Sequence, residues 1–151
     1  MANEGQEAAR AQRRLRRREA RVSQTWQKFL ADLCSATTLE PEPATDAAVS
    51  VLCRLEERLT GDEARDLEAQ LPVRLQQLLA DACGQVDAIH KLDRDQFVAA
   101  VAMDLGIPDA RALALVLAVF ATVRSHISDG EANDVQAQLP GDLRPLWMPP
   151  T

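Results

Sequence analysis

The amino-acid sequence predicts an all-α fold, a helical bundle of two homologous three-helix repeats with pseudo-twofold symmetry, preceded by a basic N-terminal arm. First, the 20-residue segment from Thr60 recurs 68 positions later, from Ser128, with nine identical residues. Second, apolar residues follow helical spacing in both copies, and no alternating run typical of a strand occurs. We therefore expect residues 24–80 and 92–147 to form the two repeats of one compact domain.

Residues 1–23 form the predicted arm. They carry seven arginines and three glutamates, a balance of +4, whereas the remaining residues carry 10 basic and 20 acidic groups, a balance of −10. Residues 1–9 are small and polar, which favours disorder. Arginine, alanine and glutamate favour helix in the rest. The arm is therefore either disordered or a helical extension of the first core helix, as the spacing of the following apolar residues allows: Leu15, Val22, Trp26, Phe29 and Leu33.

A helix that begins at a capping box is expected in each repeat. Thr60 with Glu63 forms the first box and Ser128 with Glu131 the second. In such a box the hydroxyl accepts from the N3 amide, and the glutamate reaches back to the N-cap amide. The proline of each Ala-Gln-Leu-Pro segment is expected to end the helix, and a short further helix is predicted after it.

The other helices also have recognisable starts. Pro41 and Pro108 open the second helix of each repeat, a favourable position for proline. The first helix of the second repeat is expected to begin at Asp93, with Gln96 completing a capping box, and Gly106 is suited to the position after its end. The longest apolar run, 112–121, is too short to span a bilayer.

Two pairs of carboxylates are candidate functional residues. Glu63 with Asp66, and Glu131 with Asp134, have the chemistry of metal ligands or acid–base pairs. Acidic residues in a first helical turn also complement the helix dipole, and the glutamates are expected to cap. We favour this structural interpretation and predict no metal ligand.

Two glutamines, Gln70 and Gln138, occupy matching positions beside the Leu-Pro break. A buried glutamine there would satisfy the backbone carbonyls that the proline leaves free. We favour this structural role over ligand binding.

The histidines and cysteines predict no active site. His90 and His126 lack a partner at a metal-ligand spacing. Cys34, Cys53 and Cys83 are odd in number and widely spaced, which favours reduced thiols and a reducing compartment. Since no glycine-rich phosphate loop is present either, we predict no catalytic, cofactor-binding or metal-binding residue.

The arginines of the arm are the candidate anion-binding residues. Their pattern is compatible with a solvated tail, or with an arm that binds nucleic acid or an acidic partner. No aromatic residue is interleaved, so base stacking has little support. The candidate residues are Arg10, Arg13, Arg14, Arg16, Arg17, Arg18 and Arg21.

The two segments that end in Ala-Gln-Leu-Pro, 60–72 and 128–140, share the pattern E-x-x-D-[LV]-x-A-Q-L-P in register. With Phe29 and Phe97, also 68 apart, they resemble the bacterial family called domain of unknown function 2267, over roughly residues 24 to 147. The resemblance implies a small all-helical bacterial protein of the cytoplasm. It implies no activity and no catalytic residues.

From these observations we expect a non-enzymatic interaction protein that binds another macromolecule, a protein above all, through its body or its arm. One alternative is a nucleic-acid-associated protein that binds phosphates, or another anionic surface, through the arginines. An enzyme of unknown type is the third. No cofactor and no transmembrane segment are expected.

Overall fold

The structure is a computed structural model that describes residues 2–83 and 92–149, a part of the chain that is helical and contains no strand. The predicted all-α bundle is confirmed. His90 and most of the segment between the repeats lie outside the described residues. The helices are α1 (Ala2–Thr37), α2 (Pro41–Glu56), α3 (Gly61–Gln70), α4 (Val73–Ala82), α5 (Arg94–Leu105), α6 (Asp109–His126), α7 (Asp129–Gln138) and α8 (Arg144–Trp147).

The order of the helices follows the repeat in the sequence. The helices α3 and α7 begin and end 68 positions apart, and so do the starts of α2 and α6. Each repeat contributes the three predicted helices and, after its proline, the further helix that the sequence also predicted. The final helix has ten residues in the first repeat and four in the second, where Gly141 and Pro145 disfavour a longer one. A close superposition of the two repeats stays a prediction.

The arm is the first part of α1, a single helix of 36 residues. The sequence left the arm either disordered or a helical extension of the first core helix, and the structure shows the helical extension. The C-terminal part of α1 packs into the bundle through Phe29 and Leu33, both fully buried. Nucleation is the costly step of helix formation, and a packed segment removes that cost. The exposed residues upstream can then join the helix by propagation, for which arginine and alanine are well suited.

The core is built around α6, which packs against α1, α2, α5 and α8. An aromatic cluster lies at one side of it, where the ring of Phe120 is 6.0 Å from that of Phe97 and 5.2 Å from that of Trp147. The indole Nε1 of Trp147 donates to the carbonyl of Ala132 at 2.9 Å, which satisfies its one polar atom. None of the described helices is by itself long and apolar enough to cross a bilayer; α5 and α6 reach that length and apolar content only together, and they are bent by 99° at the break between them.

A disulfide bond corrects the prediction of three reduced cysteines. Cys53 in α2 is bonded to Cys83, which directly follows α4, and Cys34 is free. The prediction considered spacing along the chain, whereas the fold brings the Cα atoms of residues 30 positions apart to 5.3 Å. The bond therefore fastens the end of α4 to α2.

Candidate functional site

The seven arginines of the arm are all exposed, and within the described residues none of them forms an ion pair. With 3.6 residues per turn, six of them lie within roughly 140° of the helix circumference, and Arg16 lies outside this arc. At 1.5 Å per residue, residues 2–23 extend over about 33 Å. The arm is therefore a helix with one continuous cationic stripe.

A second, narrower stripe of the arm is apolar. Leu15 and Val22 lie on the side of α1 that continues into the buried face at Phe29 and Leu33. The side chain of Leu15 is 55 % exposed and belongs to no core cluster. The arm thus offers an apolar contact beside its charges.

A different arrangement of polar groups joins α3 and α7, which pack against each other. The backbone N–H of Thr60 donates to Oε1 of Gln138 at 3.0 Å, and the N–H of Ser128 donates to Oε1 of Gln70 at 2.7 Å. Each helix is thus capped by the glutamine at the end of the other, so the two run antiparallel. The glutamines have a structural role, as predicted, but they accept from N-cap amides and do not serve the carbonyls beside the proline.

This reciprocal capping corrects the expected role of the two glutamates. The hydroxyls of Thr60 and Ser128 accept from the amides of Glu63 and Glu131, as in a capping box. The other half of each box is absent, because the N-cap amide already donates to a glutamine. Both glutamates are 7 % exposed, and Oε1 of each is buried without a hydrogen-bond partner.

The two glutamates face each other and the exposed Asp134, and one carboxylate oxygen from each of the three lies within 4.8 Å of the others. Burial and the neighbouring Glu63 carboxyl together raise the pKa of Glu131 to about 7. The charges of Asp66 and Asp134 act in the same direction. We call Glu63, Glu131 and Asp134 the carboxylate cluster.

The carboxylate cluster has one kind of donor atom, since its ligand atoms are all oxygens. Such a set can share a proton between two carboxyls, or it can hold a hard cation such as Mg²⁺ or Ca²⁺. The sequence had marked these residues as candidates, and the structure brings them together across the two repeats. What sequence reasoning missed is that the glutamines would leave the glutamates without a capping role.

In contrast to the two glutamates of the carboxylate cluster, Asp104 has hydrogen-bond partners for both of its carboxylate oxygens. In a groove between α2 and α5, both carboxylate oxygens of Asp104 accept from Arg54, at 2.8 and 3.0 Å, and Ser50 adds a third bond at 2.8 Å. The Arg54 guanidinium holds the pKa of Asp104 below its usual value. Within this groove the charge of Asp104 is therefore satisfied. His126, predicted without a partner, lies 2.7 Å from the carboxylate of Asp32.

Glu56 is a further carboxyl whose surroundings disfavour its charged form. Burial, a hydrogen bond with Glu68 and the charge of Glu68 together raise the pKa of Glu56, at the end of α2, to about 9. These two residues form a pair and have no third ligand within reach among the described residues. We regard the pair as a pH-sensitive contact between α2 and α3 rather than a site.

These features define a class, an all-helical protein whose two repeats meet at a buried group of carboxylates and whose first helix carries an exposed cationic arm. The chain belongs to the family described as "Uncharacterized conserved protein (DUF2267)", whose model matches residues 26–146. The resemblance noted in the sequence is thus confirmed, and the match includes the carboxylate cluster but not the arginines of the arm. A search of curated proteins finds no match.

Proposed function

We propose that the protein is a non-enzymatic interaction protein, and that its arm binds an acidic protein partner. The observation that carries the proposal is the arm itself, a helix of exposed arginines with no ion pair among the described residues. A body with a balance of −10 adjoins it, yet within the described residues none of these arginines pairs with a carboxylate of that body. They are therefore available to a second molecule.

Like charges on the arm give a physical reason for a partner. Arg10 and Arg14, Arg13 and Arg17, and Arg17 and Arg21 are each four residues apart on one helix. Such pairs destabilise a helix by a few tenths of a kcal/mol each. Carboxylates of a partner would relieve this repulsion by forming bidentate hydrogen bonds with the guanidinium groups. Binding and helix stability would then increase together.

The apolar stripe favours a protein over a nucleic acid. An amphipathic helix commonly binds a protein groove through apolar anchors, with charges at the edge of the contact. Leu15, which is 55 % exposed, is placed to be such an anchor. A nucleic-acid duplex would use the arginines alone, and the acidic body would repel it.

Nucleic acid is the second candidate, and the continuous cationic stripe favours it. Guanidinium groups bind phosphates bidentately and remain charged at all physiological pH values. Binding by half to all of the arginines would give a log–log salt slope of about −3 to −6. The binding would be weak and independent of base sequence, because no side chain of the arm is placed to read bases.

The experiment compares the affinity of the full chain for a labelled polyglutamate peptide and for duplex DNA, by fluorescence anisotropy over a range of salt concentrations. We expect binding to the acidic peptide, its loss when residues 1–22 are deleted, and weaker binding for Arg17→Ala than for the off-stripe control Arg16→Ala. Leu15→Ala should weaken binding to a labelled acidic peptide that also contains leucines, and leave binding to polyglutamate and to DNA unchanged. The proposal fails if the peptide does not bind, or if the truncated protein binds it equally well.

We also propose a cytoplasmic location, as the sequence analysis expected. This location rests on the resemblance to the bacterial family alone, and the Cys53–Cys83 bond argues against it, because such bonds persist mainly in oxidising compartments. Alkylation of thiols in intact cells, followed by mass spectrometry, tests it. Alkylated Cys53 and Cys83 would support a reducing cytoplasm, and an intact bond would place the protein in an oxidising compartment.

A further inference from the structure

We propose that the carboxylate cluster, Glu63, Glu131 and Asp134, binds a hard divalent cation of the Mg²⁺, Mn²⁺ and Ca²⁺ class between α3 and α7. One carboxylate oxygen from each residue lies within 4.8 Å of the other two. An ion with ligand distances of roughly 2.0–2.6 Å places its ligand oxygens no further apart than about 5.2 Å. Three oxygens at the full 4.8 Å from one another lie about 2.8 Å from a common centre, so side-chain shifts of a few tenths of an ångström are enough for all three to coordinate one ion.

Acidic residues near a helix start are common, so proximity is not the main argument. The independent observation is that Oε1 of Glu63 and Oε1 of Glu131 are buried and accept no hydrogen bond. Both residues are buried, each with 7 % of its surface exposed. Buried polar groups almost always have a partner, and an exception calls for an explanation such as an ion.

The capping pattern shows that these two glutamates do not complete a capping box. A glutamate at N3 normally accepts from the N-cap amide. Here the amides of Thr60 and Ser128 donate to Gln138 and Gln70 instead. The two carboxylates are thus directed at each other, where their charges repel unless a cation or a proton lies between them.

The kind of ligand follows from the donor atoms. The cluster has neither a nitrogen nor a sulfur ligand, so it suits oxygen-preferring cations and not Zn²⁺ or Cu²⁺ in a tetrahedral site. The negative charge of Asp66 is also close enough to affect Glu131. The net charge therefore favours a divalent cation over a monovalent one.

The site can exchange its ion with solvent, because Asp134 and Asp66 are exposed and lie at its rim. The ion would connect α3 in the first repeat with α7 in the second. It would therefore stabilise the contact between the repeats, in addition to the reciprocal capping by the glutamines. The site is separate from the arm, so the failure of either proposal leaves the other intact.

The test uses the full chain and Mn²⁺, whose free ion is counted directly by electron paramagnetic resonance. We expect one site with a Kd no weaker than about 1 mM, the weak limit of oxygen-ligand sites. Glu63→Gln and Glu131→Gln should each reduce the affinity at least about tenfold, since each removes a charged ligand at nearly constant shape. Mg²⁺ and Ca²⁺ should displace the Mn²⁺.

The matched control is Asp129→Asn, which removes one charge from the same helical turn at an exposed position outside the cluster. It should change the affinity less than about twofold. Thermal unfolding gives a second readout. Mn²⁺ should raise the Tm of the wild type and of the control, whereas the two glutamine variants should be more stable than wild type in EDTA and insensitive to Mn²⁺. The proposal is overturned if no site is found, as expected for a shared proton, or if all variants bind Mn²⁺ equally.

Discussion

Leu139 allows a quantitative test of the bundle. It directly follows α7, its side chain is 2 % exposed, and it belongs to the core cluster. Leu139→Ala would remove buried methyl groups and leave a cavity that solvent cannot fill, at a cost of about 2–5 kcal/mol. A cost near 3 kcal/mol lowers the Tm of a chain of this size by about 6–12 °C. Chemical denaturation gives the free energy of unfolding, and circular dichroism at 222 nm gives the Tm.

The control is the same chemical change at a surface position. Leu117 lies in the middle of α6 and is 43 % exposed. Leu117→Ala should change the free energy of unfolding by less than about 0.5 kcal/mol, because alanine is a good helix former and little buried surface is lost. If both variants lose the same small amount of stability, the segment at Leu139 is not part of the core and our description of the fold is wrong.

Three further predictions concern other parts of the chain. Cys53→Ser with Cys83→Ser should lower stability by up to about 4 kcal/mol, as expected for a 30-residue separation; identical denaturation midpoints with and without reductant would contradict the bond. The folded-state pKa of Glu56, about 9, lies above the usual 4.5. Its contribution to stability is therefore complete below pH about 4.5 and is lost progressively as pH rises towards 9. Melting curves of Glu56→Gln should lack this loss, and parallel pH profiles would contradict it. Deleting residues 1–22 should leave the Tm nearly unchanged, and an unfolded product would show that the arm is part of the core.

Local patterns in the sequence predicted the helices well. The boundaries that depend on neighbouring residues are found where expected, such as the capping box of Asp93 with Gln96 and the left-handed Gly106 at the end of α5. These features depend on residues within one helical turn of each other, so the local sequence is enough to predict where the helix begins and ends. The length of α4 was less predictable, since it depends on packing of Leu75 and Leu79 against the rest of the core.

The features missed from the sequence are contacts between distant residues. The amide of Thr60 had a plausible partner three residues away, Glu63, but its actual partner, Gln138, is 78 positions away. Nothing in the local pattern distinguishes the two, because both side chains have suitable oxygens. The disulfide was missed for the same reason, as neither Cys53 nor Cys83 carries a signal for the other. The arginines were identified from composition alone, which needs no knowledge of the fold.

The continuity of α1 has a thermodynamic consequence for any partner of the arm. A disordered segment that folds on binding loses about 1–2 kcal/mol of backbone entropy per residue, which subtracts from the affinity. A segment that is already helical loses little of this, and its direction is set by Phe29 and Leu33 in the core. The arm is therefore a helical extension with a fixed direction and not a flexible linker. It would hold a bound molecule at a fixed distance and orientation relative to the acidic body.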